Sequence, residues 1–206
     1  MAENTKGKWE PRLIGNYAFD ECASSLQKMI RRSKEYEACF WGYVLHQSSF
    51  GGYLWRRLSI IACEDIGNGT PEAATLVNAL WSNWERLHKH SKEPSLDKFL
   101  LPCQAILFMC RCKKTRENDS LVNLIHENWK SNKKLEIPTI ALDPHSERGR
   151  LEFGRFGDLK DGKETLRIEK WFSEWGKVTN EAYKDKWELE IKEIWLSKAK
   201  TSLKTA

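Results

Sequence analysis

Between Asp143 and Gly157 the chain reads Asp143-Pro144-His145-Ser146-Glu147-Arg148-Gly149-Arg150, then Phe153-Gly154-Arg155-Phe156-Gly157. These residue types can build an anion pocket. Glycine lets backbone come close to a ligand, the arginine fork grips phosphate or carboxylate, and aromatic rings stack on a base. In that reading Arg148, Arg150 and Arg155 hold the anion and His145 serves as acid or base. The structural alternative is a solvated loop, because six acids balance six bases from Asp143 to Arg167. A lone loop histidine is also more often a surface residue than a catalyst.

Two further clusters carry charge. Arg111, Lys113, Lys114 and Arg116 crowd a predicted helix C-terminus and, with Thr115, suit contacts to a phosphate backbone. The helix dipole favours cations there by about 0.3–1 kcal/mol each, which needs no ligand. In the run from Arg56 to Gly67, Arg57 and Glu64 lie seven residues apart and share a helical face. Arg56, Arg57, Glu64 and Asp65 therefore frame an internal polar network, a subunit contact or a nucleic-acid contact, with internal ion pairing the leading reading.

Composition narrows the rest. The 206 residues carry a net charge of +5 on 34 basic and 29 acidic side chains, too small an excess to indicate nucleic acid by itself. No apolar run approaches the ~18 residues of a membrane span. The polar start, Met1 to Trp9, lacks a signal segment, so the expected location is the cytoplasm. Six cysteines form no pair of CxxC knuckles, and the expectation is buried reduced thiols, without metal or other cofactor. Ten tryptophans, including the helically spaced pairs 171/175 and 187/195, predict aromatic packing or an interface.

Apolar periodicity predicts an all-α bundle of about seven to eight helices. Residues 1–18 read as a flexible arm on which Trp9, Leu13, Ile14 and Tyr17 could dock. Helices are expected over Asp20–Arg32, Lys34–Gln47 and Tyr53–Asp65, with Gly51-Gly52 as an interruption. Thr70-Pro71-Glu72 supplies the N-cap and first turn of the next. Pro102 is read as the first turn of a new helix, because the proline nitrogen lacks only an N–H that is unpaired there. A helix over Asn118–Lys130 should turn Leu121, Leu124, Ile125 and Trp129 inward. Residues 131–163 are expected to form a Gly- and Arg-containing irregular excursion or short hairpin, with strand preference at Ile137–Leu142. Two helices close the chain, one marked by Ile168, Trp171, Phe172, Trp175, Val178 and Ala182, the other by Trp187, Ile191, Ile194 and Trp195. The resulting organisation is an arm (1–18), a helical domain (19–130), the excursion (131–163) and a Trp-rich helix pair (164–206).

Three segments together resemble the C-terminal helical region of the replication-associated recombination protein A (MgsA) family and its eukaryotic Werner-helicase-interacting relatives. Ser25-Leu26-Gln27-Lys28-Met29-Ile30-Arg31-Arg32-Ser33 is similar to a Ser-Ala-Leu-x-Lys-x-Ile-Arg-x-Ser-Asp opening. Arg56-Arg57-Leu58 through Glu64-Asp65-Ile66-Gly67 and on to Pro71-Glu72-Ala73 resembles the Ala-Arg-Arg-Leu…Ala-Ser-Glu-Asp-Ile-Gly…Asp-Pro run, the most specific match. Leu101-Pro102-Cys103-Gln104-Ala105 to Lys114-Thr115 resembles a Pro-Leu-Ala-Gln-Ala helix ending in Pro-Lys-Ser-Asn, although Lys113 and Arg116 replace that Pro and Asn. His145-Ser146 followed by Gly149-Arg150 and Gly154-Arg155 is similar to a segment of short relatives that lack the motor.

The resemblance covers residues 20–125 and implies a module in the style of a clamp-loader collar, with Arg31, Arg56, Arg57, Glu64, Asp65 and Gly67 as structural or interface positions. No Gly-x-x-x-x-Gly-Lys-Ser/Thr sequence is present to cradle a nucleotide's phosphates, so ATP hydrolysis does not carry over. The leading expectation is a non-enzymatic, homo-oligomerising module of DNA replication, recombination or repair. Its expected partners are the DNA backbone, replication proteins or a separate AAA+ ATPase. The alternatives are an enzyme or binding protein for a phosphorylated ligand built on His145, and a pure protein scaffold.

Overall fold

Apolar residues at helical spacing determine the first of two units, Met1–Lys133. The computed structural model describes residues 11–178 and 187–205. Helices α1 (Phe19–Arg31), α2 (Glu35–Gln47), α3 (Gly51–Ile61), α4 (Glu72–His88) and α5 (Leu96–Arg111) enclose one core. Its centre is α3, whose Leu54, Trp55, Leu58 and Ile61 are wholly buried. Full burial of such a side chain contributes about 1.5–3 kcal/mol, so these four make a large contribution to the unit's cohesion. Leu26 and Ile30 from α1, Leu45 from α2, Val77 from α4, and Ile106 and Met109 from α5 complete it. Upstream of α1, Leu13 is buried and the Tyr17 ring stands edge-on to Trp41 at 5.2 Å. Trp9 lies outside the described residues.

Several local expectations change in the structure. Gly51 does not interrupt the pattern but opens α3, and the site favours glycine because a Cβ there would stand 2.7 Å from the Trp84 ring. The α3 helix gives way at Ala62–Ile66 to a wider turn closed by the Gly67 N–H on the Ala62 carbonyl. The Thr70 hydroxyl does not cap α4. It donates to the Lys113 carbonyl at 3.1 Å instead. Pro102 does not begin a helix but lies inside α5, where Ser95 is the N-cap and accepts from the Lys98 N–H. The proline still removes one backbone donor, but only the short stretch from Leu96 precedes it.

Helix α6 (Glu117–Lys130) has no buried residue. Leu121, Leu124 and Ile125 are 54, 57 and 58% exposed, and Trp129 is also exposed. The expectation that this stripe faces inward is therefore incorrect: the periodicity is present, but the core of the first unit is filled without it.

The second unit is Lys134–Ala206. Ile137–Leu142 forms no strand but a single tight turn at Thr139–Ala141. Helix α7 (Glu147–Phe153) follows, capped by Ser146, whose Oγ accepts from the Gly149 N–H at 3.0 Å. Helix α8 (Glu164–Lys170) widens at Trp171–Trp175 and stops there, with the Gly176 N–H on the Trp171 carbonyl at 2.7 Å. Val178 thus falls beyond that helix and is exposed, and Ala182 lies outside the described residues. Helix α9 spans Glu188–Thr205. Among the described residues the architecture is nine α-helices with no strand, and no helix is long and apolar enough to cross a membrane.

One buried titratable group gives a pH signature. His46 of α2 is 2% exposed and its Nε2 lies 3.1 Å from the Ser95 carbonyl. A carbonyl only accepts, so Nε2 carries the proton of a neutral ring. Burial lowers its pKa, and the charges of Lys98 and His88 add to this against the opposing Ser95 bond. A depressed histidine pKa means the unfolded chain binds the proton first. Stability is then full above the unfolded value of about 6.5 and is lost as pH falls towards the folded one. The urea midpoint of the first unit is expected to drop between about pH 7 and pH 5, and His46→Asn to flatten that slope. An unchanged slope in the variant would contradict the assignment.

Candidate functional site

The paired acids of the Arg56–Gly67 run sit on the wide turn after α3, and Asp65 is fully buried. Its Oδ1 accepts from Arg31 Nε at 2.5 Å and its Oδ2 from Gln27 Nε2 at 2.8 Å. The bond to Asp65 raises the Arg31 pKa against the opposing effect of burial. Gln27 Oε1 in turn accepts from Arg57 Nη2. Glu64 receives Arg31 at 3.3 Å and Arg116 at 3.6 Å, while Arg116 also reaches Asp65 at 3.8 Å and Asp119 at 2.5 Å. Arg57 and Glu64, the pair suggested by spacing, do not meet. The buried amide of Gln27 connects Arg57 to Asp65 from another helix. Arg56 is exposed and its Nε donates only to the Gly52 carbonyl.

The basic turn packs against this hub. Gly67, at φ +49°, would bring a Cβ within 3.3 Å of the Thr115 carbonyl, and the Thr115 N–H donates to the Ile66 carbonyl. Its cations are largely engaged within the fold. Arg111 forms a two-point contact with Glu35 at 2.9 and 3.0 Å, which lowers the carboxyl's pKa. Lys114 Nζ donates to the Cys110 and Cys112 carbonyls and to Ser33 Oγ, closing the end of α5. Arg116 belongs to the acid hub. Lys113 is exposed.

In the second unit His145 Nδ1 lies 2.8 Å from Asp143 Oδ2, and its carbonyl accepts from Arg150 Nη1 at 2.9 Å. Burial raises the Asp143 pKa, but the bonds from His145 outweigh it and the carboxyl titrates below its ordinary value. Since the carboxylate takes the Nδ1 proton, Nε2 is the ring nitrogen open to a ligand. His145 lines a cavity of about 490 Å³ with Phe156, Trp171, Trp195, Glu164 and Lys198. Arg148, Arg150 and Arg155 are exposed and do not line it. The arginine that sequence reasoning overlooked is Arg167, wholly buried and bonded to Asp161, Glu164 and the Phe153 and Asp158 carbonyls. Its place beside Ile168 gave only the signal of a helical core position.

The stretch Gly157–Lys163 has the glycine and lysine spacing of a phosphate loop, but Glu164 stands where a hydroxyl residue is required. The Glu164 carboxylate itself accepts the Gly157 N–H at 3.0 Å, and Lys163 Nζ donates to the Glu152 carbonyl at 2.9 Å. The loop binds its own acid.

The profile of the MgsA AAA+ ATPase C-terminal family matches residues 33–157, more than half of the chain. The chain belongs to that family. Similar proteins include replication-associated recombination protein A of Haemophilus influenzae, 27% identical over 128 residues. The protein of the same name from Coxiella burnetii is 30% identical over 125 residues. The alignments cover 62 and 59% of this chain but only 26% of each relative, so the chain spans about a quarter of their length. In this member of the MgsA C-terminal family the matched region holds Arg57, Glu64, Asp65 and Arg116 of the acid hub, the basic turn and α6, while Gln27 and Arg31 of the hub precede it. The match stops at Gly157, so Glu164, Trp171, Trp195 and Lys198 of the cavity lie beyond it.

Proposed function

We propose that this chain is an oligomerising helical module of replication-associated recombination, joining copies of itself through α6 and serving a separate AAA+ ATPase. The observation that carries the reading is the exposed apolar stripe of that helix. Leu121, Leu124 and Ile125 recur at i, i+3 and i+4, with Val122 exposed beside them. Contiguous apolar surface of this kind marks an interaction site rather than a solvated face. Charge favours a second copy as the occupant. The helix starts acidic, at Glu117 and Asp119, and ends basic, at Lys130, with Lys133 just beyond it. Two copies packed antiparallel about a two-fold axis would set each acidic start against a basic end.

The role in replication-associated recombination comes from the named relatives and from membership of a family described as the C-terminal part of an AAA+ ATPase. Direct contact with DNA backbone would fall to Lys113, Arg148 and Arg155, since Arg111, Lys114 and Arg116 are held by partners within the fold.

Light scattering on the purified protein is expected to give a multiple of the chain mass. Leu124→Glu with Ile125→Glu is expected to give a monomer of unchanged helix content, because both residues are already exposed in the single chain. A native monomer across micromolar to millimolar concentrations would remove the reading.

A further inference from the structure

We propose that the cavity of the second unit binds a nucleotide, with the base against Trp195 and Phe156 and the phosphate on Lys198. The site goes beyond the oligomer reading and does not depend on it. Only the choice of a nucleotide among aromatic anions rests on the proposed role in DNA processing.

Size and walls come first. About 490 Å³ falls within the range of about 300–1,000 Å³ usual for small-ligand sites, and such sites are mainly apolar with a few placed polar groups. The walls are rings held by one another. Phe156 stands edge-on to Trp171 at 5.8 Å and 89°, and also to Trp175 at 6.1 Å. His145 lies 5.2 Å from Phe156 and 6.1 Å from Trp171. On α9, Trp195 is braced by Phe172 at 5.6 Å, and it is 38% exposed. Rings fixed by packing give a flat ligand a preformed stacking surface, so little ordering remains for binding.

Charge then selects among flat ligands. Two of the polar lining groups already have partners. Glu164 accepts from Gly157 N–H and from Arg167, and His145 is tied to Asp143. Lys198 lines the cavity and has no hydrogen bond or ion pair among the described residues. An aromatic cage with a free acid would suit a quaternary ammonium. Here the acid is held by Arg167 and the Gly157 N–H, and the lining group left without a partner is the Lys198 ammonium, which suits an anion. A planar base for the rings and a phosphate for the ammonium make up a nucleotide, whether free or as the unpaired base of a single strand.

The test uses the full chain and radiolabelled dAMP in equilibrium dialysis, with deoxyadenosine as the phosphate-free probe. Saturable dAMP binding is expected. Lys198→Ala should weaken dAMP by at least about tenfold and leave deoxyadenosine unaffected. Trp195→Ala should weaken both, while Lys160→Ala, which removes an exposed charge outside the cavity, changes neither. Circular dichroism verifies that each variant keeps its fold, and Lys198→Ala removes no hydrogen bond or ion pair among the described residues. A single-stranded oligonucleotide carrying a fluorescent aminopurine separates the two sources. Quenching that depends on Trp195 and competes with dAMP assigns the unpaired base of a strand. Binding of dAMP without oligonucleotide binding assigns the free nucleotide. Loss of both at millimolar concentration overturns the proposal, as does dAMP binding indifferent to Lys198→Ala or displaced by tetramethylammonium. The light-scattering mass is read on the same samples, so failure of the pocket and failure of self-association are separate results.

Discussion

Asp65→Ala is expected to lower the unfolding free energy of the first unit by about 3–5 kcal/mol, the cost of breaking a buried charge pair from one side. Asp65 is fully buried and its two oxygens serve different partners, Arg31 on one and Gln27 on the other. Truncation leaves the Gln27 amide without its acceptor and the Arg31 guanidinium with only Glu64, so the penalty is desolvation without compensation. Arg31 and Gln27 belong to α1, Asp65 to the turn after α3, and Arg116 to the start of α6, so one carboxylate joins three parts of the chain. Asp65→Asn keeps the shape and one acceptor and should cost less, about 1–3 kcal/mol. Arg116→Ala removes a half-exposed partner and should fall within about 1 kcal/mol. Urea unfolding followed by circular dichroism measures all three. Equal losses for Asp65→Ala and Arg116→Ala would refute the buried carboxylate as the organising charge. Since domains retain only about 5–15 kcal/mol, the first substitution removes a large part of the total.

The helices were legible because their apolar faces repeat over many residues: α1, α2 and α6 begin and end within two residues of where periodicity puts them, and α4 begins at Glu72, next to the expected first-turn Pro71. The failures share a cause: sequence pattern states which face is apolar but not what covers it. In α6 the stripe was visible, yet the core closed over α3 without it and left Leu121 and Ile125 to solvent. At Pro102 a local rule about a missing N–H competed with Ser95, a residue equally able to start a helix, and the cap prevailed. The hub was legible in its acids but not in its connections. Spacing within one helix can pair Arg57 with Glu64. It cannot show that Gln27, 38 positions before Asp65, supplies the bridge. The same limit hid the cavity, whose rings come from residues 145 to 195 and meet only through tertiary packing. The exposed arginines of that loop drew notice by their charge, while the structurally decisive one was buried among apolar neighbours.

Arg167→Met is expected to unfold the second unit while leaving the first intact. The guanidinium has five N–H groups and the structure gives each an acceptor. Nε bonds Glu164 at 2.7 Å, Nη1 bonds the Phe153 carbonyl at 2.7 Å and Asp161 at 2.5 Å, and Nη2 bonds the Asp158 carbonyl at 2.6 Å and Asp161 at 3.0 Å. Gly154, at φ +76°, lets the loop pass close by, because a Cβ there would stand 2.8 Å from Arg167 Nη1 and 2.3 Å from Asp161 Oδ2. Methionine preserves the volume but leaves two acids and two carbonyls facing it, a loss of about 3–5 kcal/mol in a unit too small to have much in reserve. Lysine brings only three donors from one point and should not rescue it. Asp161 supplies the pH signature. Its bond from Arg167 holds its pKa below the ordinary 3.8, against the opposing effect of burial. A depressed carboxylate pKa stabilises the fold above the unfolded value and loses that contribution as pH falls through the folded one. The native second unit should therefore loosen in acid below about pH 4. Hydrogen exchange read peptide by peptide should show this for residues 147–175, and the same peptides should be open at neutral pH in Arg167→Met. Protection of those peptides in the variant at neutral pH would mean that the loop is held by the rings of Phe153, Phe156 and Trp175 rather than by the buried cation.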